Sequence, residues 1–256
     1  EKNNLFKKYL PIFRMKKNTF KVKVITLFPE SFPGVLGVGV IGRALKKKIW
    51  SLKLFNPRNY AKDNHKSVDD TTSGGGPGMI LRADIIGKAI DSSLRGVKEK
   101  KKISLINLTP RGKPITQKDI KRFTKKNELI ILCGRYEGID QRVLDFYKFD
   151  EYSLGDYILA GGEVAAQTVI EAAVRLLPGT LGEKESLKDE SFSQDLLEFP
   201  QYTRPRIWKN LKIPEELQSG NHKLISEWRM KNSLKLTQKI RPDLLKKYKK
   251  NKTTKK

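Results

Sequence analysis

Apolar positions along the chain gather into short runs separated by polar or glycine-rich stretches. Lys21–Phe28 (KVKVITLF) alternates and then turns wholly apolar, as a buried strand does, and Pro29 and Pro33 close it. Trp50–Asn56, Ile103–Leu108 and Glu128–Leu132 read as three further strands. Helical spacing predicts helices over Arg43–Trp50 and Ile85–Leu94. Thr116, with Asp119 three residues later, resembles a capping box opening a short basic helix that runs to Lys126. Glu163–Leu177 (EVAAQTVIEAAVRLL) is the strongest helical stretch, rich in helix formers and stopped by Pro178-Gly179. Pro57–Met79 reads as a long loop.

The pattern changes at Leu181. Residues 182–195 are polar and without period, as a linker is, and a small basic module with interleaved aromatics follows over 196–248. Its main feature is an amphipathic helix over about Asn221–Ile240, ended by Pro242; Trp208 and Trp228 are expected in its core. Residues 1–20 read as a loosely ordered basic extension and 249–256 as a basic tail.

Charge adds a partner. Lys and Arg number 53 against 28 Asp and Glu, a net charge of +25, which favours a polyanion and places nucleic acid ahead of an anionic membrane. Aromatics among the lysines of the C-terminal module suit looped or single-stranded RNA. No apolar run is long enough to span a membrane and no signal pattern opens the sequence, so a cytoplasmic location is expected. One cysteine, Cys133, excludes an intrachain disulfide and a cysteine-cluster metal site.

Candidate chemistry lies in Cys133–Glu163, where Gly134, Gly138, Gly155, Gly161 and Gly162 alternate with Arg135, Tyr136, Glu137, Asp140, Asp156 and Tyr157. Glycines at strand ends admit close approach of backbone to a ligand, and this alternation suits a backbone-lined pocket for a small polar molecule. The helix beginning after Gly161-Gly162 offers free N–H groups to an electron-rich ligand. Two decoys are set aside. Gly37–Gly42 matches G-x-G-x-x-G with Asp63 downstream, but Pro29–Leu36 separate it from the strand, so its glycines cannot meet a dinucleotide there. Gly74–Gly78 lacks the G-K-[ST] of a P-loop.

Six motifs, in order, carry a resemblance. Phe28–Phe32 (FPESF), Gly74–Met79 (GGGPGM), Leu132–Asp140 (LCGRYEGID), Gly155–Leu159 (GDYIL), Gly161–Glu163 (GGE) and Tyr202–Pro205 (YTRP) together resemble bacterial tRNA (guanine-N1)-methyltransferases, over about Lys21–Tyr248. The resemblance implies an α/β S-adenosylmethionine-binding domain of the SPOUT class over residues 21–181, with a deep trefoil knot. A small all-helical tRNA-binding domain would follow it. It also implies a homodimer with a shared active site, and methyl transfer to N1 of the guanosine 3′ of the anticodon, position 37.

Carried onto this sequence, the methyl donor is expected against Thr109, Pro110, Gly134, Tyr136, Glu137, Leu154, Gly155, Asp156, Tyr157, Ile158, Leu159, Gly161 and Gly162. Asp70, Gly76, Pro77, Gly78, Met79 and Arg204 are expected to contact the tRNA. Guanine N1 is a poor nucleophile until its proton leaves, so a carboxylate is required as general base and a guanidinium to stabilise charge growing on O6. The resemblance places the guanidinium at Arg175 and the base just before Ser191-Phe192. Relatives often have Asp directly before Ser-Phe; here Glu190 stands there with Asp189 beside it, so Glu190 is the expected base and Asp189 the alternative. Arg111 stands where relatives often have Gln. No protein metal site is expected, and any Mg²⁺ would act through RNA or transiently with carboxylates.

Overall fold

The computed structural model describes residues 19–181 and 190–253, which form two compact units dividing after Leu181. The expected extension, but for Thr19 and Phe20, and most of the expected linker, including Asp189, lie outside the described residues.

The first unit is built on a five-stranded parallel sheet. Its strands are β1 (Phe20–Ile25), β2 (Trp50–Phe55), β5 (Ile103–Pro114), β6 (Glu128–Cys133) and β7 (Asp150–Ser153), in the spatial order β2-β1-β6-β5-β7. Every residue of central β6 is buried. Leu129, Ile131 and Cys133 join one core cluster and Ile130 and Leu132 the other, as a parallel strand covered on both faces requires. Helices α1 (Gly39–Lys46), α3 (Gln117–Thr124) and α5 (Gly162–Val174) supply the first cluster; α2 (Ala83–Leu94) and α4 (Gln141–Tyr147) supply the second.

Several elements depart from expectation. The helix expected over Arg43–Trp50 begins earlier and ends at Lys46; Trp50 instead opens β2, fully buried, its indole N–H donating to the Ile41 carbonyl at 3.1 Å. Of the Gly37–Gly42 glycines, Gly42 serves packing, since a Cβ there would lie 2.1 Å from the Gly37 carbonyl oxygen, and Gly39 takes a positive φ of 57°. The expected loop Pro57–Met79 contains a hairpin, β3 (Asp69–Thr71) with β4 (Met79–Leu81). The Thr116–Asp119 capping box is present in both directions.

At the amino end of the sheet, the Glu128 carboxylate meets Lys23 at 2.6 Å and Lys21 at 3.0 Å, and Lys23 also donates to the Ser93 carbonyl at 2.7 Å. Burial pushes the Glu128 carboxyl up, but the two lysines outweigh it and hold it below its ordinary value. A depressed carboxylate stabilises fully above its unfolded value, about pH 4, and loses that contribution as pH falls through the folded value. The urea midpoint of the wild-type chain is therefore expected to drop between pH 5 and pH 3 by more than that of Glu128→Gln. Parallel acid profiles would remove this pair as a source of the dependence.

The second unit is not all-helical as expected: a hairpin closed by a two-residue turn, β8 (Ile207–Trp208) with β9 (Leu211–Lys212), precedes helices α6 (Glu215–Gln218), α7 (His222–Ile240) and α8 (Pro242–Thr253). Asn221 caps α7, its side chain accepting from the amides of Lys223 and Leu224. Pro242 ends α7 but also opens α8, so the expected basic tail is helical as far as Thr253. Residues 190–198, expected mostly as linker, are held by this unit. The Leu197 amide donates to the buried Thr237 hydroxyl at 2.9 Å, and Asp195 accepts from Lys247 and Asn251. Trp228 is half-buried and packs edge-on to Tyr202, 6.0 Å between ring centres. Trp208 departs from expectation: it is 58% exposed and not in a core.

Candidate active site

The carboxyl ends of β5, β6 and β7 open on one cleft of about 310 Å³, at the edge where open parallel sheets bind ligands. Three backbone segments wall it: Asn107–Arg111, Gly134–Ile139 and Tyr152–Gly162, with Ala165 behind. The first wall is a detour. Leu108 and Lys113 both pair with Tyr152, so Thr109–Gly112 leave β5 and return to it at the same rung. Gly112 passes so close to β7 that a Cβ would lie 2.4 Å from the Tyr152 backbone nitrogen. This also explains why β5 runs to Pro114, six residues beyond the expected end.

The other walls are clamped by a buried carboxylate. Glu163, in the first turn of α5, accepts from the Thr26 hydroxyl at 2.7 Å and from Arg135, Nε at 2.9 Å and Nη2 at 2.8 Å. Arg135 also donates to the Ala160 carbonyl and lies over the Phe28 ring, 4.3 Å from its centre. The Gly162 amide donates to the Gly134 carbonyl, and a Cβ on Gly162 would sit 2.8 Å from the Cys133 Cα. Glycine is therefore required where α5 starts against the end of β6. The Cys133 thiol is buried beneath; burial first, then the nearby Glu163 carboxylate, push its ionisation well above the ordinary range. It is held as an inert thiol.

Of the residues expected to meet the donor, Thr109, Pro110, Gly134, Tyr136, Glu137, Leu154, Gly155, Tyr157, Ile158, Leu159, Gly161 and Gly162 line this cleft. Asp156 is exposed and does not. Leu154, Ile158 and Leu159 supply its apolar side. Arg111 lies at the lining as well, within 3.8 Å of Glu151 and 3.4 Å of the Gln141 side chain.

The Gly76–Met79 segment adjoins these walls through backbone. The Glu137 amide donates to the Met79 carbonyl at 2.9 Å, Leu81 donates to the Gly138 carbonyl, and a Cβ on Gly78 would lie 2.6 Å from the Glu137 side chain. Gly74, Gly75, Gly76 and Gly78 all take positive φ, a path closed to most side chains. Asp70 lies on β3 in a separate, wider groove with Arg82, Asp140 and Tyr147. Arg175 is the residue that ends α5, and its amide donates to the Glu171 carbonyl.

Two expected residues belong to the second unit. Arg204 is exposed before β8. Glu190 lines a smaller cavity, about 180 Å³, with Ser193, Phe199, His222, Arg229 and Ser233. Among the described residues no group of three His, Cys, Asp or Glu is placed to hold a metal ion, and no helix is long and apolar enough to cross a membrane.

The family model described as tRNA (Guanine-1)-methyltransferase TrmD matches residues 20–247. The chain belongs to that family. A protein of Cereibacter sphaeroides is 47% identical over 235 residues, covering 91% of this chain and 94% of its own length. Proteins of Ehrlichia canis and Wolbachia pipientis wMel are 51% and 49% identical, each covering 88% of this chain and 95% of their own length. All three are named tRNA (guanine-N(1)-)-methyltransferase.

Sequence reading missed the Thr26–Glu163–Arg135 clamp, whose three members come from separate stretches of the chain and meet only in the fold. It also missed α4 and β7 inside the glycine-rich stretch. Asp140, whose side chain caps α4 by accepting from the Arg142 amide, was the available cue.

Proposed function

We propose that the chain transfers a methyl group from S-adenosylmethionine to N1 of the guanosine at position 37 of tRNA. The observation that carries this is the cleft at the ends of β5, β6 and β7, walled mainly by backbone and by Leu154, Ile158 and Leu159. Its volume falls in the range of small-molecule pockets, roughly 300–1,000 Å³. Backbone amides and carbonyls at strand ends suit the edge of adenine, the aliphatic side chains suit its face, and Glu137 offers a carboxylate to the donor's positive charge. The excess of 53 cationic over 28 acidic side chains suits the polyanionic acceptor.

In this reading Glu190, or Asp189, accepts the N1 proton as N1 takes the methyl group, and Arg175 faces the charge that collects on O6. Gly76–Met79, Asp70 and Arg204 hold the tRNA. The active enzyme is a homodimer with a composite site, consistent with the exposed Val35, Val38, Ile158 and Val164 on the first unit. The knotted chain path and a cytoplasmic location belong to the same proposal.

The test is labelled methyl transfer from S-adenosylmethionine to a tRNA transcript carrying guanosines at positions 36 and 37, beside one with adenosine at 37. Transfer to the first alone is expected. Equal labelling of both would discard the target, and labelling of neither would discard the activity.

A further inference from the structure

The second unit carries a surface that the proposed reaction leaves unused. From Gln201 to Lys212 every residue is exposed, including Ile207 at 57%, Trp208 at 58% and Leu211 at 68%. Adjacent exposed apolar side chains rimmed by polar ones mark interaction sites. It is also held in a defined shape. Ile207 pairs with Lys212 and Trp208 with Leu211, and the Ile213 amide donates to the Arg206 carbonyl at 3.1 Å beyond the pairing. Trp208 and Leu211 therefore stand side by side on one face of the ribbon. The turn residues Lys209 and Asn210 take positive φ, 48° and 66°, as the two-residue turn that matches strand twist demands. Lysine is a costly choice at such a position, where glycine or asparagine fits freely. Here its ammonium lies 4.9 Å from the centre of the Trp208 ring.

Charge decides what this face receives. Between Tyr202 and Pro214 stand Arg204, Arg206, Lys209 and Lys212 and no acidic residue. A nucleic acid would bring phosphates to Arg206, on the same face as Trp208, and to Lys209 at the turn, and a flat base to the indole. Stacking on an aromatic ring is open to an unpaired base and closed to one inside a duplex.

We propose that the β8–β9 hairpin is a stacking platform, on which Trp208 takes an unpaired base of the tRNA while Arg206 and Lys209 hold the flanking phosphates. It rests on the tRNA-methyltransferase reading, and assigns to Trp208 the task of positioning the acceptor rather than reacting with it. Lys209, over the ring, fixes the indole and adds its charge at the same point.

The experiment uses the full chain and the transcript with guanosines at positions 36 and 37. Trp208→Ala is expected to raise the KM for tRNA roughly tenfold to a hundredfold, the range that loss of one base stack implies. The kcat at saturating tRNA and the KM for the methyl donor should stay as in the wild type, and Trp208→Phe should restore most of the loss. Tryptophan fluorescence gives a second readout, because Trp50 is fully buried and Trp228 half-buried. Adding tRNA should quench the wild type more than Trp208→Phe. An unchanged KM in Trp208→Ala would overturn the proposal. So would dissociation of that variant into a smaller species in sedimentation, since the hairpin would then be a contact between copies. Quenching is read from binding alone; absence of methyl transfer by the wild type would strike the functional reading and leave the platform to stand or fall on the quench.

Discussion

Glu190→Gln is expected to slow single-turnover methyl transfer by about 10²–10⁴-fold, the contribution of a positioned general base. The amide keeps the size of the side chain and cannot take the N1 proton. Donor binding should be unaffected, because Glu190 belongs to the second unit and the cleft proposed for the donor is lined by residues of the first. Asp189→Asn, made in parallel, assigns the role: the variant with the larger loss identifies the base. The loss should shrink as pH rises, since guanine N1 then gives up its proton without help. If both variants turn over at the wild-type rate, no carboxylate before Ser191 acts as base.

The second large effect is structural and reaches the donor. Glu163→Ala removes the buried carboxylate that holds Thr26 and Arg135 and leaves the partly buried Arg135 guanidinium without its partner. Breaking a buried pair on one side costs about 3–5 kcal/mol, and the partial exposure of Arg135 puts the cost here below that, at roughly 1–3 kcal/mol. The denaturant midpoint should fall accordingly, and titration calorimetry should show weakened donor binding, because Arg135 also ties Ala160 to the Gly134 wall. Glu163→Gln, which keeps a group for Thr26 to bond, should lie between. A variant that melts like the wild type and binds donor equally well would show that the cleft does not depend on this clamp.

Strands whose stability comes from their own burial were legible before any coordinates. Val24-Ile25 and Leu129–Leu132 are apolar because both faces of the sheet are covered there, and their sequences say so. The Thr116–Asp119 cap was legible for the same local reason. Elements that exist because a neighbour completes them were not. β7 is only Asp-Glu-Tyr-Ser and β4 only Met-Ile-Leu, and each is specified by its partner strand. Trp208 illustrates the opposite error: tryptophan is usually covered, and only the exposed hairpin shows that this one is not. In the cleft, the glycine spacing and the resemblance together pointed to residues that the fold gathers on one lining. The Glu163 clamp required knowing that α5 begins against β6.

One contact bears on how this chain can change over evolutionary time. Gly78 has no room for a Cβ against Glu137, and the Met79 carbonyl accepts the Glu137 amide. Surface loops ordinarily absorb insertions and deletions one at a time. These two cannot, because a residue gained in Gly74–Gly78 shifts the register against Glu137 and deforms the other loop with it. The two loop lengths are therefore expected to be coupled, so that a one-residue insertion in Gly74–Gly78 should disturb the Glu137 loop as much as its own.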